Sequence, residues 1–235
     1  MIISDMPHSQ PILIIAALKE ELKDLKGHLK NLRHTSFKKM VFFSGELENT
    51  KVILVQSGVG LHRAARATRA ALEIVSPRCI ILTGFCGGTH TDLQPGDIVL
   101  SEKLILNADT LRFYTSHENF LNLAKSIKDV KIVSGKTLTT QEPILTAKRK
   151  QELGKKLDCL AINMEGYGVA EVAHKASIPF IEMRVVLDPA HEDVPDISSK
   201  FFFFKKRFQL KKLKKNSDTA RASLTPYLVS FIKNL

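Results

Sequence analysis

Short apolar runs alternate with segments of helical periodicity along most of the chain. Apolar runs bounded by polar or small residues are typical of buried strands, whereas apolar residues every three or four positions are typical of amphipathic helices. The runs predict strands at 12–17, 40–44, 51–56, 79–83, 96–100, 130–134, 159–164 and 180–187. The periodic segments predict helices at 18–29, 60–73, 117–127, 147–157 and 166–176. This alternation predicts a layered α/β fold with parallel strands.

The predicted elements divide the chain into a main domain and two terminal segments. The main domain is expected at 11–195, after an N-terminal tail at 1–10. A basic, phenylalanine-rich segment and a C-terminal helix at 196–235 are expected to pack on the same domain. The strand at 79–83 is expected to end in a small-residue turn at 83–88, through which the backbone can approach a ligand closely.

Composition narrows the class of protein. With 235 residues and 44% hydrophobic content, the chain can bury a full core. Its three cysteines, Cys79, Cys86 and Cys159, are too few and too scattered for a disulfide framework, which favours a reducing cytoplasm. We expect no signal peptide, no membrane span and no metal site, because neither a long apolar segment nor a helical histidine pair is present.

Two predicted strands each lead to an isolated carboxylate, at Glu165 and at Asp188. The carboxyl ends of parallel strands open onto the ligand crevice of an α/β sheet, so two acids at one rim indicate a catalytic site. The alternative is structural. Glu165 would then begin the following helix, where a carboxylate favours the helix dipole, and Asp188 would cap a turn before Pro189. The residues alone leave both interpretations open.

Six segments occur in the order typical of one family. They are 14–21, 57–60, 83–88, 95–99, 164–165 and 184–188. On these segments the chain resembles the purine nucleoside phosphorylase superfamily, in its nucleosidase branch. The resemblance implies a single three-layer domain with a central mixed, mostly parallel sheet. It also implies hydrolysis of the bond between adenine and a 5′-substituted ribose, as in methylthioadenosine, S-adenosylhomocysteine or adenosylhopane.

The resemblance also implies roles for particular residues. Asp188 would protonate the departing purine, and Glu21 would activate the attacking water on the opposite face of the sugar. Glu165 would bind the ribose hydroxyls, and Met164 would pack against the sugar. The further substrate contacts implied are Asn163, Phe85, Cys86, Gly87 and Leu138. We expect no cofactor, a small-molecule nucleoside as the ligand, and a homodimer.

Some positions depart from the nucleosidase pattern or favour another reaction. Leu187 replaces a small polar residue before the acid, so the surroundings of Asp188 are more apolar. Phosphorolysis is the alternative reaction, because Gly60 and Arg63 at a helix start are candidates for anion binding. The interpretation that we favour for Arg63 is a solvated helix face, together with Arg66 and Arg69. Glu21 favours hydrolysis over phosphorolysis, because a carboxylate at the nucleophile position suits water and would repel phosphate. A binding protein without catalytic activity is a third alternative.

The net charge of +11 is concentrated late in the chain. Eight lysines and arginines lie between 200 and 215, beside four consecutive phenylalanines at 201–204. This composition is typical of a segment that binds the surface of an anionic membrane. An alternative is a loop and helix whose phenylalanines cover the active site or an oligomer contact. Specific nucleic-acid binding is not expected, because no nucleic-acid module is recognisable.

Overall fold

A computed structural model describes residues 10–195 and 205–235, without the side chains of 205–208. Within these ranges the chain forms ten strands and six helices. The strands are β1 (Ile12–Ala16), β2 (Lys30–Phe37), β3 (Met40–Leu47), β4 (Thr50–Gln56), β5 (Cys79–Gly88), β6 (Ile98–Leu106), β7 (Asp109–Thr115), β8 (Ile132–Thr139), β9 (Ala161–Asn163) and β10 (Phe180–Asp188). The helices are α1 (Lys19–Gly27), α2 (Leu61–Leu72), α3 (Glu118–Ser126), α4 (Ala147–Leu157), α5 (Gly166–Lys175) and α6 (Lys205–Lys233). The predicted tail up to residue 9 and the phenylalanines at 201–204 lie outside the described residues.

Strand β1 shows why the sheet has helices on both faces. All five of its side chains are fully buried. Ile12 and Ile14 pack in one core cluster with residues of α1, α3 and α6, whereas Leu13 and Ile15 pack in another with residues of α2 and α5. Because successive side chains of a strand point to opposite faces, the sheet lies between two helical layers. The expected three-layer α/β fold is confirmed.

The sheet is mixed, and its strands run in the order β10-β6-β8-β9-β5-β1-β4-β3-β2, with β7 beside β6. Strand β10 also pairs with β5, so β5, β9, β8, β6 and β10 form a closed ring. The expectation of a mostly parallel sheet needs correction. Five of the pairings among the described strands are parallel and five are antiparallel. The antiparallel edge strands β2 and β7 were not predicted from the sequence pattern.

Both of these strands lie at an edge and expose most of their residues. An edge strand without a core face needs no apolar alternation, so its sequence carries little strand signal. Leu29 was predicted on the first helix, but α1 ends at Gly27 and Leu29 packs in the turn before β2.

The predicted turn at 83–88 is also corrected, because β5 continues through it to Gly88. The segment pairs with β10 along most of its length. Consequently the small residues of this segment lie on an extended strand, beside the end of β10.

Helix α6 packs its second half against the same core. The buried apolar residues of this half are Ala220, Leu224, Tyr227, Leu228, Phe231 and Ile232. The hydroxyl of Tyr227 donates a hydrogen bond to the carbonyl of Ala124 on α3 (2.8 Å). Among the helices that the structure describes, none has the length and apolar character needed to cross a bilayer.

Candidate active site

A cleft of about 200 Å³ opens where β5, β9 and β10 end. Eight of the residues predicted to act on a substrate lie in its wall. They are Glu21, Phe85, Cys86, Gly87, Asn163, Met164, Glu165 and Asp188. Residues that are far apart in the sequence therefore share one cleft, and three of them are carboxylates.

Glu21 lies in the first turn of α1 and is 4% exposed. Its two carboxylate oxygens accept hydrogen bonds from the backbone N–H groups of Leu18 and Phe85, both at 2.7 Å. Burial raises the pKa of Glu21 to about 7, against the opposing effects of Arg184 and these two hydrogen bonds. A carboxylate with a pKa near neutrality can serve as a general base.

Two glycines of β5 make room for the carboxylates. Gly84 has a φ of +126°, and a Cβ there would lie 2.6 Å from Cδ of Glu21. A Cβ on Gly87 would lie 3.0 Å from Oδ2 of Asp188. The glycines therefore permit the close approach of side chains to the strand, where the sequence analysis expected the approach of a ligand. Gly84 and Gly87 are three positions apart on β5, which corresponds to about 10 Å along an extended strand at roughly 3.3 Å per residue.

Asp188 ends β10 at an irregularity in its pairing with β5. Its Oδ2 accepts a hydrogen bond from Nζ of Lys150 at 2.8 Å. Burial raises the pKa of Asp188 to about 6, and the adjacent Lys150 opposes the increase. At this pKa a fraction of the carboxyl groups is protonated near neutral pH, as a general acid requires.

Glu165 lies between β9 and α5 and is almost fully buried. Its Oε1 accepts a hydrogen bond from the backbone N–H of Gly60 (2.9 Å), and its Oε2 lies 3.4 Å from the guanidinium of Arg184. The side-chain oxygen of Asn163 accepts from the N–H groups of Glu165 and Gly166, at 3.0 and 2.7 Å. Asn163 thus satisfies the free N–H groups at the start of α5 and positions Glu165.

Arg184 connects the carboxylates, and no role for it was predicted from the sequence. Its side chain is fully buried, and its Nε donates to Glu182 at 2.9 Å in addition to its contact with Glu165. Glu182 in turn accepts hydrogen bonds from Ser101 and Thr137. The available signal is that Glu182 and Arg184 are two positions apart within an apolar strand, so they share one face and can pair there.

Lys150 is the second residue that the sequence analysis missed. It lies on α4 beside Lys148 and Arg149, which are exposed, yet its own side chain is 1% exposed. Besides Asp188, its ammonium group contacts the carbonyl of Pro189 at 2.8 Å. A run of basic residues on a helix normally indicates a solvated face, so the sequence did not distinguish Lys150 from its neighbours.

Three predicted site residues lie elsewhere. Leu138 is fully buried in a core cluster with Ile105 and Leu153, so it is corrected to a packing residue. The N–H of Gly60 is already bonded to Glu165, and Arg63 is exposed on α2; neither lines the cleft. The proposed anion site at Gly60 and Arg63 is therefore not formed in this structure.

Two further observations concern cofactors and thiols. Within residues 10–195 and 205–235, no three His, Cys, Asp or Glu side chains lie together in a group that could hold a metal ion. Cys86 lines the cleft as a buried thiol, and burial raises its pKa. A thiol with a raised pKa is a poor nucleophile at neutral pH.

Comparisons with known proteins agree with this fold. A model of the phosphorylase superfamily matches residues 11–225. The 5′-methylthioadenosine/S-adenosylhomocysteine nucleosidase of Oceanobacillus iheyensis is 30% identical over 198 residues, which cover 77% of this chain and 86% of that protein. The nucleosidase of the same name from Anoxybacillus flavithermus is 28% identical over 201 residues, which cover 77% of this chain and 87% of that protein.

Solved structures show the same architecture. The 5′-methylthioadenosine/S-adenosylhomocysteine nucleosidase of Neisseria meningitidis, in complex with methylthio-immucillin-A, superposes with a TM-score of 0.82 at 21% identity, covering 96% of this chain and 100% of that one. The S-adenosylhomocysteine nucleosidase of Streptococcus pyogenes, in complex with 5-methylthiotubericidin, gives 0.81 at 24% identity, covering 98% and 99%. At these identities the likeness shows the fold. With the family match over 11–225 and the relative at 30% identity, this chain belongs to the phosphorylase superfamily, in its nucleosidase branch.

Proposed function

We propose that this protein hydrolyses the N-ribosidic bond between adenine and a 5′-substituted ribose. The observation that carries the proposal is the pair of carboxyl groups of the buried Glu21 and the partly buried Asp188, which line one cleft and have pKa values raised to about 7 and about 6. Cleavage of this bond needs a proton on the purine and a water deprotonated on the other face of the sugar. One acid and one base, both with a pKa near neutrality, meet these needs.

Asp188 acts as the general acid in this proposal, and its proton passes to N7 of adenine. The purine then leaves with the electrons of the glycosidic bond, and positive charge develops on the ribose. Glu21 accepts a proton from the water that attacks the anomeric carbon. Glu165 accepts hydrogen bonds from ribose hydroxyls, and these strengthen as the positive charge grows.

The rest of the cleft supports an apolar 5′ substituent. Residues with apolar side chains contribute much of the remaining wall, among them Leu18, Val59, Ile144, Leu145 and Val194. Such a wall suits a methylthio or a hopanyl group better than the charged tail of S-adenosylhomocysteine, because a buried charge without partners is costly. We therefore propose methylthioadenosine or adenosylhopane as the substrate class.

Hydrolysis is favoured over phosphorolysis on two grounds. The buried carboxylate of Glu21 would repel a phosphate at the nucleophile position, and the N–H of Gly60 is bonded to Glu165. The test is to measure adenine release from methylthioadenosine, S-adenosylhomocysteine and adenosylhopane, with and without phosphate. We expect release without phosphate from wild type and at least about 100-fold less from Asp188→Asn.

Other outcomes would contradict the proposal. Release only in the presence of phosphate would make the protein a phosphorylase and remove the role of Glu21. Adenine release at the wild-type rate by Asp188→Asn would show that Asp188 is not the general acid. Binding of the substrates without any release would favour a non-catalytic nucleoside-binding protein.

We also propose peripheral contact with an anionic membrane through residues 200–215 of a cytoplasmic enzyme. The described part of this segment supports it, because Lys211, Lys214 and Lys215 are exposed on α6 next to an exposed Leu210. The test is flotation with anionic and with neutral vesicles at low salt, comparing wild type with a variant in which these three lysines are glutamine. Equal flotation of the two proteins, or no binding to anionic vesicles, would contradict this contact.

A homodimer is the assembly that we propose from the resemblance. Exposed apolar side chains on β7, Leu111 at 90% and Phe113 at 49%, supply a surface that suits burial against a second copy. Sedimentation equilibrium tests the assembly directly. A monomer at micromolar concentration would contradict it.

A further inference from the structure

The general acid of the proposed reaction has a buried cation bound to one of its two oxygens. Nζ of Lys150 lies 2.8 Å from Oδ2 of Asp188, and the Lys150 side chain is 1% exposed. An ammonium group has donors but no acceptor, so the oxygen that it contacts must act as an acceptor. The adjacent positive charge stabilises negative charge on Oδ2, so a proton on the carboxyl group is favoured on the other oxygen, Oδ1.

The same lysine joins α4 to the segment that follows Asp188. Its ammonium group also donates to the carbonyl of Pro189 at 2.8 Å. Two neighbouring hydrogen bonds connect the same two segments: the Gln151 side chain donates to the carbonyl of Ala190, and the N–H of Ala147 donates to the carboxylate of Asp193. Just before α4, the carbonyl of Leu145 accepts from the N–H of Val194. Lys150 therefore lies in a fixed position relative to the acid, and its contact with Asp188 does not depend on a mobile surface side chain.

We propose that Lys150 is a positioning residue for the general acid, which holds Oδ2 of Asp188 as an acceptor so that the transferable proton occupies Oδ1. The inference rests on the proposed role of Asp188. It extends that role by stating which oxygen gives the proton and what fixes the orientation of the carboxyl group. A carboxylic acid whose proton is restricted to one oxygen loses less conformational entropy when it is aligned with N7 of the purine.

The charged and titratable groups around Asp188 give the direction of the expected pH effect. Lys150 approaches from α4, the thiol of Cys86 from β5 and the carboxylate of Glu192 from the segment after β10. Glu192 itself forms an ion pair with Lys212 at 2.7 Å, and its carboxylate lies 3.5 Å from Nε2 of His191. Lys150 is the cation in direct contact, so its removal should raise the pKa of Asp188 above the wild-type value of about 6.

The experiment compares wild type, Lys150→Met, Lys150→Arg and Lys148→Met. Lys150→Met keeps the length of the side chain and removes its charge, whereas Lys148→Met makes the same change at an exposed position of the same helix. Two quantities are measured: the titration of the Asp188 carboxyl carbon by ¹³C NMR, assigned with Asp188→Asn, and the pH dependence of kcat/KM for adenine release. Circular dichroism confirms that each variant is folded.

We expect Lys150→Met to raise the pKa of Asp188 by about 1–3, the range that an adjacent opposite charge confers. The pH optimum of kcat/KM should move upward by about half that amount, because the optimum lies at the mean of the pKa values of Asp188 and Glu21. At its new optimum, kcat/KM should be about 10- to 100-fold lower, because the carboxyl group has lost its orientation. Lys150→Arg should keep the wild-type optimum, and Lys148→Met should match wild type in both measurements.

Two results would overturn the inference. One is an unchanged NMR titration of Asp188 in Lys150→Met. The other is a fall in kcat/KM by the same factor at every pH, which a merely structural role would produce. A wild-type protein that releases no adenine would instead overturn the proposed function, and the NMR titration would still decide whether Lys150 holds Asp188.

Discussion

Replacement of Gly84 by alanine tests how the fold positions the proposed base. The backbone at Gly84 has a φ of +126°, and a Cβ would lie 2.6 Å from Cδ of Glu21. Ordinary contact begins near 3.4 Å, so the carboxylate must retreat by about 1 Å and lose its hydrogen bond from Phe85. Such a displacement of a catalytic group costs about 100-fold in rate.

The same change should also reduce stability. A side chain at this backbone conformation costs about 1–3 kcal/mol. Loss of a hydrogen bond to a charged group costs about 1.5–3 kcal/mol more. For a chain of this size the two effects should lower Tm by roughly 5–20 °C. The assays are kcat/KM for adenine release, measured at a temperature where circular dichroism shows a folded protein, and thermal unfolding.

Two glycines on the same strand provide matched controls. A Cβ on Gly88 would meet its nearest atoms, in Leu93 and Val186, at 3.4 and 3.5 Å, so Gly88→Ala should stay within about 1 kcal/mol of wild type. A Cβ on Gly87 would lie 3.0 Å from the Asp188 carboxylate, so Gly87→Ala should give an intermediate loss of activity. Wild-type kcat/KM and Tm in Gly84→Ala would refute the role of Gly84 in positioning Glu21. Equal losses of kcat/KM and Tm in Gly88→Ala and Gly84→Ala would refute it as well.

The remaining predictions concern pH, a buried arginine and an exposed ion pair. The proposed reaction requires a protonated Asp188 and a deprotonated Glu21, whose pKa values are about 6 and about 7. We therefore expect kcat/KM to peak at a pH between these two values and to fall on both sides. A flat profile from about pH 5 to 8 would contradict the assignment of the acid and the base. Arg184→Met leaves buried carboxylates without their cation, and urea unfolding should show a loss of about 3–5 kcal/mol. Lys38→Met removes an exposed pair with Glu73, and the same measurement should show a change below about 1 kcal/mol.

The local pattern of the sequence predicts most of the elements that build the core. Strands β1, β4 and β5 contain apolar runs because both of their faces are buried, and such runs are recognisable without any partner. Strand β10 is also mostly apolar, although it contains the charged pair Glu182 and Arg184. The carboxylates that follow β9 and end β10 were therefore placed correctly at strand ends. Strands β2 and β7 were missed because an edge strand that faces solvent needs no apolar alternation.

The candidate site was predictable only in part. The carboxyl ends of parallel strands indicate a crevice, and the family resemblance supplied Glu21, which no spacing in the sequence connects to Asp188. Leu138 was placed in the site by the resemblance and packs in the core. Whether a residue on an apolar strand faces a cleft or a core depends on the curvature of the sheet, and the sequence pattern does not give that curvature.

The sequence by itself determined the types and the order of most elements that build the core, because strand and helix periodicities depend on neighbours a few positions away. The tertiary structure alone decided which charged groups are buried and what they contact. Lys150 forms a hydrogen bond with Asp188, which is 38 positions away in the sequence, and Gly60 forms one with Glu165, which is 105 positions away. Burial by distant elements also raises the pKa values of Glu21 and Asp188 to the range needed for the proposed chemistry. Desolvation depends on everything packed around a group, so only the folded chain determines it.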